Sequence, residues 1–238
     1  MIVLRGAPAM WGVPSPSQFV TKTEILLKMA GVPYTHTHAD FSKTPKGKIP
    51  YIEDGDLKLG DSEFIRRHLE ARYSADFDHG LTAADKAIGR AFAVMADEHL
   101  YWATVNARWM DRANCNRGPR HFFDRVPAPL RPFVIAMVQR NVKRNLYGQG
   151  LGRHSKAEIE DLARRDIDAI SGYLGDKPFL HGTEPKSADA SVWPAVTSVL
   201  CAHFTTPLRD YAETKPNLLA YRNRGMALWF PELADAKA

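Results

Sequence analysis

In residues 45–69, PKGKIPYIEDGDLKLGDSEFIRRHL, side-chain chemistry dictates the backbone at almost every step. A residue before proline is driven into extended geometry, and proline donates no ladder hydrogen bond. Ile49-Pro50 therefore opens a strand at an accessible position and leaves the Ile49 backbone free. Tyr51-Ile52-Glu53 reads as a short strand, Asp54-Gly55 as a two-residue turn needing positive φ, and Asp56 to Leu59 as the returning strand. After Gly60, Asp61 and Ser62 are both good helix N-cap residues, and Ile65 and Leu69 start an apolar stripe at helical spacing. A helix N-terminus thus opens beside a hairpin, and its unpaired N–H groups and positive end make an anion site.

This order resembles the N-terminal domain of glutathione transferases, a thioredoxin-like fold. In that family a Gly-Lys/Gln-Val/Ile-Pro segment carries a cis proline, and an acidic-Ser pair opens the next helix. The matching residues are Gly47-Lys48-Ile49-Pro50 and Asp61-Ser62. The resemblance implies a cis Ile49-Pro50 bond and a glutathione site to which Lys48, Ile49 and Pro50 contribute the segment that holds the cysteinyl amide. Ser62, the helix N-terminus and Asp61 would hold the γ-glutamyl end. The physical chemistry agrees, since free N–H groups favour a carboxylate and a neighbouring acidic side chain favours an ammonium. Taken singly, the hairpin fits any mixed sheet and Asp61-Ser62 any capped helix; their spacing joins them.

The 238 residues leave room for two modest domains, and 45% hydrophobic with 25% charged residues is ordinary for a globular chain. No apolar run approaches a membrane span, and the chain opens on strand-like Ile2-Val3-Leu4 instead of a signal peptide, so a cytoplasmic protein without a membrane partner is expected. Cys115 and Cys201 form no disulfide framework or metal cluster and read as free thiols. The net charge of +5 is diffuse, with ten basic and nine acidic residues in 1–77 and twenty-two against eighteen thereafter. The one local cluster, Arg140, Lys143 and Arg144, lacks any groove-binding motif and reads as a solvated helix face, so no nucleic acid is expected.

Upstream of the hairpin, Gly6 to Pro16 is a Gly- and Pro-rich loop with Trp11 expected exposed at its middle. Ser17 reads as the N-cap of a helix running to Ala30 and closed by Gly31. In the transferase fold this helix points its N-terminus at the glutathione sulfur, where helix charge and a hydroxyl stabilise a thiolate. The resemblance makes Ser17 the catalytic candidate. Ser17-Gln18-Phe19-Val20-Thr21-Lys22-Thr23-Glu24 is similar to Ser-Pro-Phe-Cys-x-Lys-x-Glu of the failed axon connections and metaxin-like branch, with Gln18 for the proline and Val20 for the cysteine. Ser15 competes for the role, and a plain cap is the alternative for Ser17. Tyr34 to His38 reads as a strand that places His36 and His38 on one face, two nitrogens without a third metal ligand in view.

Downstream, 74–81 reads as a linker, and Thr82 with Asp85 starts a long helix expected to reach Asp111. Its stripe of Ile88, Phe92, Met95, His99, Trp102 and Trp109 reads as core. The resemblance offers His99 and Trp102, with Trp11, as lining of a second-substrate pocket, the alternative for His99 being a hydrogen-bonded core histidine. Asn114 to Pro132 reads as a long ordered loop or two short turns, about 133–147 as a helix with Val134, Met137 or Val138 and Leu146 inward, and Ser155 with Glu158 as a capping box. Ser187-Ala188-Asp189 resembles the family's Ser/Thr-x-x-Asp helix start, but Lys186 occupies the cap position, so Ser187 or a different start is expected and Asp189 takes a folding role.

The expected architecture is therefore α/β plus all-α: a thioredoxin-like domain at 1–77 and an all-helical glutathione-transferase domain at 82–238. The resemblance implies a transferase with glutathione as co-substrate, its thiolate activated for attack on a small-molecule electrophile in conjugation, isomerisation or related thiol chemistry, and a homodimer; the residues themselves lead to an expectation of no metal. A binding or scaffold protein on the same fold is the competing reading.

Overall fold

Ile2, Leu4 and Gly6 turn inward and alternate with Val3 and Arg5, so the first strand, β1 (Ile2–Gly6), is buried on one face. The computed structural model describes residues 1–234. Four strands stand in the order β2-β1-β3-β4, with β2 at Tyr34–His38, β3 at Tyr51–Asp54 and β4 at Leu57–Gly60. A crossover helix, α1 (Gln18–Met29), makes β2 parallel to β1, whereas β3 runs antiparallel to β1 and forms a hairpin with β4. The Ile49-Pro50 peptide is cis.

The hairpin turn lies one residue beyond its expected place. Asp54 pairs with Leu57, so the turn is Gly55-Asp56, and Gly55 takes the positive φ of 60°. Asp54 is retained in the strand by His68 Nε2 at 2.8 Å and by the Tyr73 hydroxyl, which donates at 2.9 Å. Both partners lie on α2 (Ser62–Tyr73), which also buries Ile65 and Leu69.

The remaining described elements are helical. They are α3 (Ala83–Met95), a π-helical segment at Ala96–Leu100, α4 (Tyr101–Trp109), α5 (Arg112–Arg117), α6 (Arg131–Gln149), α7 (Lys156–Leu174), α8 (Ser187–Val199), α9 (Pro207–Glu213), α10 (Pro216–Trp229) and α11 (Pro231–Ala234). The helix expected to reach Asp111 thus contains a π segment, and Asp111 instead caps α5 by accepting from Asn114 N–H. Its expected core stripe is half-buried or exposed; the buried line is Gly89, Ala93, Ala96, Leu100 and Ala103. Small residues win that face because α8 comes too close for larger ones: a Cβ on Gly89 would stand 3.3 Å from Ala188 Cβ.

From Ala188 to Val199 every residue of α8 is buried, as expected of a helix apolar all round, and it packs on α1, α3 and α10. Neither expected start for this helix holds. Lys186 is the N-cap, but the capping group is Asp189, whose carboxylate accepts from Lys186 N–H at 2.8 Å, Leu180 N–H at 3.0 Å and the Tyr221 hydroxyl at 2.7 Å. Ser187 donates its hydroxyl to Asp78 in the linker at 2.9 Å. Burial raises the Asp189 pKa above the ordinary carboxylate value, and the three donors oppose that shift. Of the loop or two short turns expected at 114–132, the structure has the end of α5 and a 3-10 turn at Pro119–Phe123, while α6 buries Leu146, half-buries Val134 and Val138 and leaves Met137 exposed.

Candidate functional site

Three chain segments reach the same end of the sheet by topology. Arg5 lies opposite Tyr51, and Tyr51 opposite Gly60, so the end of β1, the start of β3 and the end of β4 are neighbours. Beyond those points lie the loop into α1, the Ile49-Pro50 peptide and the start of α2. Asp61 N–H donates to the Pro50 carbonyl at 3.2 Å and ties the last two together.

At the α2 start, Asp61 is the N-cap with φ of 86°, and its carboxylate accepts from Glu63 N–H at 3.0 Å. Ser62 is buried in the first turn. Among the described residues no group hydrogen-bonds to the Ser62 hydroxyl or to the backbone N–H and C=O of Ile49. Lys48 is exposed, and Lys46 Nζ lies 3.8 Å from the Phe64 ring centroid, which fastens the loop to α2. Unspent donors beside a helix N-terminus suit a carboxylate and a peptide amide, so these residues fit a peptide ligand.

At the α1 start, Ser17 is the N-cap but spends no side-chain bond on capping, and among the described residues its hydroxyl has no partner. Ser15 is buried, and its Oγ accepts from Ser17 N–H at 3.2 Å. Of the two hydroxyls, Ser17 is the free one. Arg108 on α4 runs beneath this loop, donating to the Pro16 carbonyl at 3.3 Å and the Ser198 carbonyl at 2.8 Å. Among the described residues no carboxylate pairs with its buried guanidinium, which lies 4.7 Å from the Phe204 ring centroid, and burial lowers its pKa from the ordinary arginine value.

Trp11 departs from its expected exposure. It is half-buried at φ of 60°, its ring 5.2 Å from Phe122, 5.4 Å from His203 and 5.0 Å from Phe204. Its neighbours are thus the C-terminal aromatics; His99 and Trp102 make their contacts elsewhere. His99 Nδ1 lies 2.5 Å from Asp166 Oδ2 on α7, the hydrogen-bonded arrangement, and Trp102 stacks edge-on with Tyr101 at 5.1 Å. Burial raises the Asp166 pKa, opposed by the His99 contact. A cleft of about 370 Å³ between α5 and α6, lined by Met110, Cys115, Arg120, Ile135 and Gln139 among others, contains none of the candidate residues.

Sequence reasoning passed over the two charged members of the α1 motif. Lys22 is buried, 2.7 Å from Asp97 on the π segment, where Ser191 donates to the same carboxylate oxygen at 3.1 Å. Glu24 accepts from the Tyr34 hydroxyl at 3.1 Å and lies 3.3 Å from His36 Nδ1. His36 is therefore engaged by Glu24, and among the described residues no three His, Cys, Asp or Glu side chains gather around a common point. Gln18, where the related motif has proline, donates to the Ala96 carbonyl at 3.2 Å. The charged residues at i, i+2 within one helical motif were the available signal, since a buried helix face tolerates charge only when it is paired.

Residues 18–114 match the N-terminal domain of glutathione S-transferases, and residues 163–225 match the C-terminal domain. The chain is 33% identical over 232 residues to the isoprene-epoxide–glutathione S-transferase of Rhodococcus sp. (strain AD45), spanning 94% of this chain and 97% of that protein. It is 29% identical to Failed axon connections of Drosophila melanogaster over 92% of this chain and 56% of that one. Among solved structures, the beta-etherase of Sphingobium sp. strain SYK-6 superposes over 99% of both chains with a TM-score of 0.68 at 16% identity, a likeness of fold alone.

Proposed function

Because the chain belongs to the glutathione S-transferase family, we propose that it binds glutathione at the shared end of the sheet and activates its thiol for attack on a small electrophile. The observation that carries this reading is the convergence there of unspent donors: the Ser17 hydroxyl at the α1 N-terminus, the Ile49 backbone, and Ser62 at the α2 N-terminus. Ile49 holds the cysteinyl amide, with Lys48 and Pro50 shaping that segment. Ser62 and the α2 N-terminus hold the γ-glutamyl carboxylate, and Asp61 holds its ammonium.

Ser17 then donates to the thiolate, and the α1 dipole adds positive potential, so the thiol releases its proton to solvent at lower pH. An epoxide is the first electrophile to assay, given the activity named for the Rhodococcus relative. The thiolate sulfur bonds to a ring carbon, the carbon–oxygen bond breaks, and the alkoxide takes a proton from water. Trp11, with Phe122 beside it, supplies an apolar wall for that substrate. Trp102 packs against Tyr101 away from that wall, and His99 serves the fold through Asp166.

The same proposal places the glutathione unit at 1–77 and the helical unit at 82–238, pairs two chains as a homodimer, and sets the enzyme in the cytoplasm. A glutathione-transferase-fold binding protein without turnover is the second reading, favoured by likeness to Failed axon connections. Thiolate absorbance titrated against pH, together with glutathione calorimetry, separates the two. Ser17→Ala should raise the bound thiol pKa with little loss of affinity, since one charge-assisted hydrogen bond is worth about 1.5–3 kcal/mol. Ser62→Ala should chiefly weaken binding. A shift with Ser15→Ala alone moves the role to Ser15, and absence of glutathione binding in the unaltered protein overturns the proposal.

A further inference from the structure

The apolar wall around Trp11 has a charged setting that glutathione activation does not use. Four segments meet there, 7–18, 101–110, 112–123 and 198–209, and together they carry five arginines and no Asp or Glu. Their meeting is direct: the Trp11 ring lies against Phe122, His203 and Phe204, and Arg108 donates to the Pro16 and Ser198 carbonyls. Gly118 permits the close approach, since a Cβ there would stand 2.5 Å from Phe204 and 3.2 Å from Trp11. Asp111, between two of the segments, is spent as the α5 cap. Arg209 pairs with Glu213 at 2.8 Å, and Arg108 stands behind the Ser17 loop, where a thiolate answers its charge. Arg117 is placed differently. It is exposed at the rim, and its NH1 donates to the His203 carbonyl at 3.3 Å and to the Thr205 hydroxyl at 3.0 Å. His203 Nε2 donates back to the Arg117 carbonyl at 2.9 Å, so the guanidinium is fastened beside the ring that stacks on Trp11. Its Nε and NH2 edge has no partner among the described residues.

We infer that the electrophile taken at this wall carries a carboxylate on an apolar body, and that Arg117 receives the carboxylate. A planar guanidinium fork matches a carboxylate through two parallel hydrogen bonds, and the bonds to His203 and Thr205 fix this one before the ligand arrives. A cleft lined by one sign of charge concentrates ligands of the other sign. A neutral electrophile would leave the fork to water, and a cationic one would be repelled. The carboxylate takes no part in the bond changes, which remain those of thiolate attack described above. The inference rests on glutathione binding at the same site and names the class of its second substrate.

The test is calorimetry with S-benzylglutathione and S-(p-carboxybenzyl)glutathione, conjugates that set a neutral or an anionic arm where the electrophile stands and need no turnover. The carboxylate conjugate should bind about tenfold tighter, the low end of a charge-assisted hydrogen bond, and the margin should shrink at high salt. Arg117→Gln keeps a donor for the His203 carbonyl and should erase the margin, whereas Arg117→Lys should retain most of it. Binding of the benzyl conjugate reports that each variant is folded. Equal affinities in the unaltered protein, or a margin untouched by Arg117→Gln, would overturn the inference and leave the glutathione proposal standing. Failure of both conjugates to bind the unaltered protein would overturn the glutathione proposal, and this inference with it.

Discussion

Replacing Lys22 by methionine keeps an unbranched apolar stem and removes the ammonium with its charge and its hydrogen bond, which makes it a direct probe of how α1 is held. Lys22 Nζ stands 2.7 Å from Asp97 Oδ2, with Glu63 Oε2 a second acceptor at 3.8 Å. Both members of the short pair are buried, and Asp97 Oδ1 already lacks a hydrogen-bond partner. Without the ammonium, Asp97 keeps one neutral donor, the Ser191 hydroxyl, so a nearly uncompensated buried charge remains. Breaking such a pair from one side costs about 3–5 kcal/mol, against a total stability of about 5–15 kcal/mol for a typical domain. Asp97→Leu should cost less, because Lys22 can turn to Glu63. The double variant Lys22→Met/Asp97→Leu should recover about 2–3 kcal/mol relative to the sum of the singles, as expected for coupled neighbours. Urea unfolding of the four proteins completes the cycle. Single losses below about 1 kcal/mol, or a double variant equal to the sum of its singles, would refute the reasoning.

Arg108→Met strips the Pro16 and Ser198 carbonyls of their donor and should cost about 2–5 kcal/mol in unfolding experiments, and it should also raise the bound thiol pKa. Arg108→Lys retains the charge and should largely restore the thiol pKa; equal rises in both variants would show that the charge does not act on the sulfur. The Asp54 carboxylate is held below its ordinary pKa, chiefly by His68 and also by Tyr73, with burial opposing them. Its ionised form therefore contributes stability above the unfolded-state pKa of about 3.9, and the contribution is lost as pH falls through the lower folded value. Asp54→Asn should thus cost stability near neutral pH, with the gap to the unaltered protein closing in acid, as followed by unfolding midpoints across pH. Asp189→Asn keeps one carbonyl oxygen for the Leu180 N–H and the Tyr221 hydroxyl but turns an amide NH2 toward the Lys186 N–H, and should lower stability by about 1–3 kcal/mol with no change in the bound thiol pKa.

Local backbone chemistry made the hairpin legible: one proline, one turn glycine and an acidic-Ser pair specify it within some twenty residues. The same holds for the reciprocal caps Thr82 with Asp85 and Ser155 with Glu158, each complete within four positions. Periodicity failed along α3 and α4 because size, not hydrophobicity, sets the face that meets α8, and alanine and glycine carry little weight in an apolar pattern. The partial burial of Trp11 and the role of Arg108 were missed for another reason. Their partners come from chain segments nearly a hundred residues or more away, where no local spacing rule reaches. Candidate Ser17 was visible as a helix start, but only the structure showed that its hydroxyl is left unspent while Ser15 is engaged.

The π-helical segment at Ala96–Leu100 acts as a phase adjuster between two grips on α1. Ahead of its end, Asp97 holds Lys22; beyond it, Arg108 holds the Pro16 carbonyl just before that helix begins. A regular α-helix advances about 100° per residue and a π turn takes up one residue more, so rewinding these five residues as regular α-helix would swing α4 by about that angle relative to α3. Arg108 would then point away from the loop that carries Ser17 while Asp97 stayed in place. Substitutions along this helix can be absorbed one side chain at a time, whereas the winding of 96–100 sets the alignment of everything after it.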